Sequence, residues 1–108
     1  FWNVDSDGND ETLRALSELG SRHGDKIACA VIHVGTEKKN AAISQMMSLP
    51  ATYARLFDEG TVSKRYGLES SKLPNVVVVD LDGYVASQGQ GAAGIEQANA
   101  AIDSLLSQ

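Results

Sequence analysis

The sequence is poor in cysteine, proline and positive charge. Of its 108 residues only Cys29 is a cysteine and two are prolines, and 9 Lys and Arg stand against 14 Asp and Glu. One cysteine excludes an internal disulfide framework and a metal site made of several cysteines. The net charge of −5 disfavours a surface for nucleic acid or for an anionic membrane. No apolar run approaches the roughly 20 residues that span a membrane.

The chain also shows no basic region followed by an apolar stretch, so no signal peptide is visible. Its composition, with 43% apolar and 21% charged residues, is typical of a globular domain. A chain of this length buries roughly two-thirds of its unfolded surface, which suits one core. We therefore expect a single domain over residues 1–108. Phe1 and Trp2 resemble the end of a strand, which predicts a fragment of a longer chain.

Hydrophobic periodicity predicts alternating helices and strands. The predicted helices cover residues 10–23, 41–47, 62–66 and 95–106. The predicted strands cover residues 26–34, 51–57, 75–81 and 84–88, and the last two are joined by a hairpin turn. Within the second helix, Ile43, Met46 and Met47 are expected to face the core. The order predicts an α/β fold, a mixed sheet with a parallel centre and helices on both faces.

Gly89, Gly91 and Gly94 match the dinucleotide-binding pattern G-x-G-x-x-G ahead of a helix. That fingerprint needs a further strand and an acidic residue about 20 positions on. Only 14 residues follow Gly94, and they belong to the last predicted helix. The sequence therefore favours a flexible glycine-rich connector over a nucleotide site.

Asp5, Asp7 and Asn9 resemble the start of a calcium loop. An EF-hand needs Gly at loop position 6 and Glu at position 12, where this chain has Asp10 and Leu16. The favoured interpretation is that side chains of this loop cap the following helix. A weak cation site is the alternative, and no metal ligand is assigned.

The histidines and the cysteine are isolated from one another in the sequence. His23 lies near the end of the first predicted helix and His33 in the first strand, without metal-ligand spacing. No Ser-His-Asp set is apparent, so no catalytic residue is assigned. Cys29 lies among apolar residues, which is typical of a buried and unreactive thiol.

Three segments carry a resemblance to one known family. Phe1 and Trp2, with the loop and helix after them, resemble the family's Phe-Trp-x-x-x-Cys-x-x-Cys. Residues 62–68 and Leu73-Pro74 resemble its short helix, Tyr-Gly and proline before a strand, and residues 76–85 its strand, Asp-x-Asp-Gly turn and returning strand. The family is the thioredoxin-like superfamily, especially its extracytoplasmic thiol-disulfide oxidoreductases and peroxide-reductase relatives. The resemblance spans nearly the whole chain.

The resemblance implies a thioredoxin-like three-layer sandwich without dithiol chemistry. Aligned on Phe1 and Trp2, the family's two cysteines correspond to Ser6 and Asn9. A serine cannot form a mixed disulfide, and no second thiol is present to resolve one. The acidic residues around Ser6 would also oppose a thiolate there.

Two further implications concern the sheet. Pro74 corresponds to the family's cis-proline, so a cis Leu73-Pro74 bond is expected. Almost all of the family's strand before Phe-Trp is missing, so we expect either upstream residues or another chain to fill its place.

These observations predict a non-catalytic binding or structural module without a cofactor. A protein or peptide partner is expected at the former active-site face, formed by Asp5, Ser6, Asp7, Gly8, Asn9, Leu73 and Pro74. The alternative is a thiol-disulfide oxidoreductase that uses Cys29 or cysteines outside this segment, and a third hypothesis is a small-molecule binder that uses the acidic loop. The resemblance alone implies a bacterial periplasmic or envelope-anchored setting.

Overall fold

The computed structural model describes residues 1–108 and has an α/β architecture of four helices and four strands. Two single-turn 3₁₀ helices, Gly24–Lys26 and Ser70–Lys72, lie between the regular elements. In chain order the regular elements are α1 (Asn9–His23), β1 (Ala30–Val34), α2 (Lys39–Met46), β2 (Ala54–Asp58), α3 (Thr61–Arg65), β3 (Asn75–Val79), β4 (Val85–Gln90) and α4 (Gly91–Leu106).

The strands form two small sheets. β1 and β2 pair in parallel from Ala30↔Ala54 to Val34↔Asp58. β3 and β4 pair antiparallel and are interrupted by a bulge at Val78/Val79. The sequence predicted parallel strands and a terminal hairpin, and both are present, but they form two separate two-stranded sheets and not one continuous mixed sheet.

Phe1 and Trp2 join the two sheets. Trp2 pairs in parallel with His33 of β1. Phe1 exchanges main-chain hydrogen bonds with Asn75 of β3, because the Phe1 nitrogen donates to the Asn75 oxygen at 2.9 Å and the Asn75 N–H donates back at 2.8 Å. The strands therefore lie in the order β2, β1, the Phe1 and Trp2 segment, β3, β4.

Helices cover the two faces of the sheets unequally. Along β1 and β3 alternate side chains point to opposite faces, and Val31, Val76 and Val78 pack into the core under the helices. α4 packs on β3 and β4 and also against α1, while α2 contributes buried Ala42 and Met46. On the opposite face α3 is the only α-helix, and the Tyr66 ring that follows it lies 5.4 Å from the Phe1 ring.

The core consists of two clusters. One contains Trp2 and Leu13 with side chains from β1, α2 and the segment before β2. The other contains Leu19 from α1 and three residues of α4. Leu16 and Cys29 pack against both clusters, so these two partly buried residues connect the halves of the core.

Three local predictions were wrong. Residues 26–29 are not strand, because the register with β2 begins only at Ala30↔Ala54 and no strand lies beside the earlier residues. Ile43 and Met47 are 46% and 73% exposed, since α2 has only two turns and buries a narrower stripe than predicted. Residues 91–94 are the first turn of α4 and not a flexible connector.

β2 begins at Ala54, three residues later than predicted, because residues 51–53 form a turn. The other boundaries agree with the prediction to within two residues. α1 begins at Asn9 and ends at His23, followed by Gly24 as predicted. The Leu73-Pro74 peptide bond is cis. No helix is both long enough and apolar enough to cross a membrane.

Candidate functional site

The loop between Trp2 and α1 is organised by Asn3. The Asn3 side chain donates from Nδ2 to the Val34 oxygen at 2.8 Å and accepts the Asp5 N–H on Oδ1 at 2.9 Å. Its main-chain oxygen accepts from the Ser6 N–H at 2.9 Å and from Asn9 Nδ2 at 2.7 Å. One residue therefore fixes both ends of the loop and ties it to the carboxyl end of β1. Asparagine in a turn-rich stretch was a sequence signal for this role, but its partners were not predictable.

The buried His33 side chain of β1 also holds this loop in place. Its ring is fully buried between Trp2, at 5.0 Å and edge-on, and Phe57, at 5.5 Å. Nδ1 lies 2.9 Å from the Gly35 oxygen and Nε2 lies 3.2 Å from the Val4 nitrogen. A neutral imidazole with its proton on Nδ1 satisfies both contacts, because Nδ1 then donates and Nε2 accepts. His33 is thus a structural residue of the site that sequence reasoning placed in a strand without a role.

α1 begins without a side-chain cap. Gly8 occupies the N-cap in the left-handed region with φ of 80°, and no side chain accepts from the first N–H groups. The expected capping by the loop is therefore wrong. The Asn9 side chain donates to the Asn3 main-chain oxygen, and Asp5 accepts from Lys38. These two side chains therefore do not cap α1.

The exposed part of the loop is acidic. Asp5, Asp7 and Gly8 are exposed, and Asp10 and Glu11 add negative charge in the first turn of α1. Acidic side chains at this end of a helix interact favourably with the helix dipole. A cysteine thiolate in the same place would meet these like charges.

Lys38 is the cation that faces this acidic surface. Its Nζ lies 2.7 Å from Asp5 Oδ1, and the hydrogen bond to Asp5 is the main cause that raises the pKa of Lys38. Both side chains are more than half exposed, so the pair contributes little to stability. Lys38 is also the one non-glycine residue with positive φ, 58°. A groove of about 420 Å³ runs beside this pair at the carboxyl ends of β1 and β2.

Leu73 and Pro74 differ from the acidic loop in their exposure. Both are buried, as is Asn75, and the Pro74 oxygen accepts the Gly91 N–H at 2.9 Å. No hydrogen bond joins them to the loop; the two segments meet through Phe1, which is bonded to Asn75. Of the predicted contact face, the structure therefore exposes the loop and covers the Leu73-Pro74 edge.

Cys29 is half-buried rather than fully buried. Burial raises the pKa of its thiol, and a contact with Tyr53 only partly offsets this effect. Burial, together with the neighbouring Cys29, raises the pKa of Tyr53 to about 12, and the Tyr53 hydroxyl donates to the Leu16 oxygen at 2.7 Å. A raised pKa keeps the thiol protonated and poorly nucleophilic.

The histidines do not form a catalytic pair with a serine. His23 Nε2 lies 3.0 Å from Asn99 Oδ1 on α4, and His33 is held by Gly35 and Val4. Neither imidazole is thus available to activate the Ser6 hydroxyl. No group of three or more His, Cys, Asp or Glu is placed to hold a metal ion.

The G-x-G-x-x-G glycines have a packing role in this structure. A methyl group on Gly94 would collide with the main-chain oxygen of Gly89. A methyl on Gly89 would lie 2.9 Å from the Gly94 Cα and 2.5 Å from Gln97 Oε1. The two glycines allow α4 to lie directly against β4, which accounts for the pattern without a nucleotide.

Comparison with known proteins gives no match, either to a protein-family model or to a curated protein. The functional argument therefore rests on the residues of this chain and on the geometry described above.

Proposed function

We propose that the chain is a thioredoxin-like domain that binds a protein or peptide partner and performs no dithiol chemistry. The arrangement of its elements supports this proposal. A central segment, Phe1 and Trp2, is parallel to β1 and antiparallel to β3, α1 follows it directly, and Pro74 precedes β3. The resemblance implies a strand that ends at Phe1 and Trp2, a helix after it, and a proline before the later strand.

One observation is the main support for the absence of dithiol chemistry. The first turn of α1 and the loop before it, where the family's two thiols lie, contain Ser6 and Asn9 instead of cysteines. Asn9 is buried and its amide is bonded to Asn3, so it serves the loop's structure. The only thiol, Cys29, is half-buried against the core, and burial raises its pKa.

The proposed contact surface is the acidic loop. Asp5, Ser6, Asp7 and Gly8 are its accessible residues, and the buried Asn9 is bonded to Asn3 within the loop. Leu73 and Pro74 are buried and are not part of this surface. Four carboxylates lie near the α1 terminus, those of Asp5, Asp7, Asp10 and Glu11, and Lys38 offsets only Asp5. This charge favours a partner segment that carries basic side chains. Exposed carboxylates act mainly on the association rate, so binding should weaken as salt concentration rises.

The first experiment tests the redox part of the proposal. We expect the purified chain to show no turnover in a disulfide-reduction assay and slow labelling of Cys29 by a thiol reagent in the native state. The variant Cys29→Ser is the matched control for labelling. Rapid native labelling together with turnover that Cys29→Ser abolishes would instead establish the oxidoreductase alternative.

A second experiment tests the thioredoxin-like placement of the α1 loop. The double variant Ser6→Cys/Asn9→Cys restores the spacing of two cysteines at the start of α1. If the loop has the geometry that we propose, the two thiols form an intrachain disulfide on mild oxidation, measured by mass and by loss of free thiols. Ser6→Cys alone is the control, and a double variant that yields only intermolecular disulfides contradicts the placement.

The acidic loop also permits a direct test of its ligand class. A calcium titration followed by amide chemical shifts should leave Asp5, Asp7 and Gly8 unchanged at physiological concentrations. A basic peptide should move the same resonances, and Asp7→Asn should weaken that response. Saturable calcium shifts would favour the small-ligand hypothesis over the protein-binding module.

A further inference from the structure

β2 is an edge strand whose outer side is unpaired. It pairs with β1 only, in an unbroken parallel register, and its Ala54 N–H donates to the Cys29 oxygen at 3.0 Å. Main-chain groups alternate in direction along a strand in a parallel ladder, so those of Arg55 and Phe57 point away from β1. The N–H and carbonyl groups of these two residues are therefore open to a further strand.

One side of α2 stands beside this edge. Lys39, Ile43 and Met47 are spaced four residues apart, so they form one stripe on the helix. The Lys39 Nζ lies 5.4 Å from the centre of the Phe57 ring, which places the stripe along β2. The opposite flank of α2 faces α1, where Ser44 lines the groove between the two helices. Ile43 and Met47, 46% and 73% exposed, are thus uncovered apolar side chains next to an unpaired strand.

The other face of β2 also exposes apolar side chains. Leu56 is 48% exposed, and Val62 in the neighbouring α3 is 44% exposed. α3 is held against β2 because the N–H groups of Val62 and Ser63 donate to the Asp58 carboxylate. A strand added to the edge of β2 would therefore cover apolar surface on both of its faces.

The edge carries two cations that no carboxylate balances. Arg55 donates from Nε and one terminal nitrogen to three carbonyl oxygens at the end of α2 and just after it, and its other terminal nitrogen has no partner. Neither Arg55 nor Lys39 belongs to an ion pair. The one carboxylate of β2, Asp58, is buried and bonded to α3. In a chain with a net charge of −5, this edge is a local surface that attracts carboxylates.

From these observations we propose that the outer edge of β2 binds an extended peptide segment with alternating acidic and apolar side chains, which pairs with β2 as an antiparallel strand. The main chain of the segment exchanges hydrogen bonds with Arg55 and Phe57, as in other complexes in which a peptide extends a sheet. Two acidic side chains of the segment lie on the helix face beside Arg55 and Lys39, and the apolar residue between them lies opposite Leu56.

The other edge strand, β4, is less suited to such a partner. Its pairing with β3 shifts register between Val78 and Val79, and a bulge of this kind interrupts the row of main-chain groups and protects an edge. The side chains of Gln88 and Gln90 are also bonded to the segment that follows α3. β2 has neither a bulge nor a proline.

Charge distinguishes the peptide from a second copy of the chain. Two β2 strands related by a two-fold axis at Leu56 would place Arg55 of one copy opposite Phe57 of the other. Lys39 already lies over the Phe57 ring, so two cations would meet on each side of the axis. An acidic segment replaces this repulsion by attraction.

The test uses two matched peptides, acetylated Thr-Val-Glu-Val-Glu-Val-Thr and the same sequence with lysine in place of glutamate. We expect the Glu peptide to bind saturably, about ten-fold more tightly than the Lys peptide, and to slow hydrogen exchange of the Arg55 and Phe57 amides. Lys39→Gln should weaken binding by about three-fold, whereas Lys26→Gln, in the turn after α1, removes the same charge and should have a smaller effect. The Glu peptide methylated on both glutamate nitrogens keeps its charge but cannot donate to β2, and it should not bind.

Four outcomes would overturn the proposal. Absence of saturable binding by the Glu peptide, or equal binding of the two peptides, would remove the acidic partner. Binding without protection of the Arg55 and Phe57 amides, or undiminished by N-methylation, would rule out strand addition. Equal effects of Lys39→Gln and Lys26→Gln would place the peptide elsewhere. Protection that appears in the free chain together with dimer formation would assign the edge to a second copy. The acidic loop takes no part in any of these measurements, so the proposed function stands or fails separately.

Discussion

The helix-covered face and the opposite face of the sheets differ in how completely they are buried. On the helix-covered face the strand residue Val31 is 3% exposed, and the helix side chains of Leu19 in α1 and Met46 in α2 are 4% and 1% exposed. On the opposite face Leu56 is 48% exposed, Val79 46% and Val85 47%, although these are the same kinds of residue. The contrast shows that apolar character in a strand does not by itself decide burial; what decides it is whether another element packs on that face.

The difference also indicates where the stability of the fold resides. Apolar burial contributes roughly 25 cal/mol for each Å² removed from water, so the covered face supplies most of that term. On the open face the Tyr66 ring lies against Phe1, and α3 contacts β2 through Asp58. Substitutions on the two faces should therefore differ in cost, and the following predictions test this contrast from the largest expected effect to the smallest.

Among these variants, Leu19→Ala should lower the free energy of unfolding the most. Leu19 is 4% exposed and packs with Ile95, Ala98 and Ile102, and leucine-to-alanine changes in a core destabilise by about 2–5 kcal/mol. Leu56→Ala on the open face is the matched change and should cost about 1 kcal/mol or less. Urea denaturation of both variants measures the difference, and equal losses would remove the distinction between the faces.

The Gly94→Ala variant should lose less free energy of unfolding than Leu19→Ala, but a clearly measurable amount. The added methyl group would collide with the Gly89 oxygen and push α4 away from β4, an overpacking effect of about 1–3 kcal/mol. Ala92→Ser, in the exposed first turn of the same helix, should stay within about 0.5 kcal/mol. A Gly94→Ala variant as stable as the parent chain would mean that the close helix–strand contact is not required.

Asp58→Asn should produce a smaller loss that depends on pH. Asp58 is buried; burial acts to raise its pKa, but N–H donors from Ser63 and Val62 outweigh it, so the pKa is lowered from 3.8. Replacement of a buried hydrogen-bonded carboxylate is expected to cost about 1–2 kcal/mol.

The sign of that pH dependence follows from the lowered pKa. The stabilising contribution of Asp58 is complete above the ordinary carboxyl value of 3.8 and is lost as pH falls through the lower folded-state pKa. The stability gap between the parent chain and Asp58→Asn should therefore narrow in acid. A gap that stays constant down to strongly acidic pH, in denaturation curves of the two proteins, would show that the charge of Asp58 is not what stabilises α3.

The smallest effect is expected at Val79. Val79→Thr replaces one methyl by a hydroxyl at a 46% exposed position, and the free energy of unfolding should change by no more than about 0.5 kcal/mol. Val31→Thr, at a position 3% exposed on the covered face, makes the same replacement and should cost about 1–3 kcal/mol because the hydroxyl is buried. Thermal denaturation midpoints of the pair check the prediction.

The sequence predicted the elements that depend on local pattern. The first helix and its end at His23, the parallel strand that ends at Val34 and the hairpin between β3 and β4 were all predictable, because helix periodicity, β-branched runs and an Asp-Gly turn act over a few residues. The start of β1 was not, because it depends on where the distant Ala54 pairs. The exposure of Ile43 and Met47 could not be predicted either, because it depends on whether another element packs over that side of α2.

The candidate site shows the same limit. The turn-forming loop at residues 5–9 could be identified from composition, but its supports could not. Asn3 and His33 act through Val34, Gly35 and Val4, which are contacts that exist only after the chain has folded. The left-handed conformation of Lys38 is of this type too, since no sequence rule places a lysine there.

The single indole of the molecule is a built-in optical reporter. Trp2 is 2% exposed and its ring nitrogen has no hydrogen-bond partner, so its fluorescence should be blue-shifted relative to that of a solvated tryptophan. The imidazole edge-on at 5.0 Å places a potential quencher beside it. Because this ring sits where the two halves of the molecule join, separation of the halves should appear as a red shift in emission, without any added label.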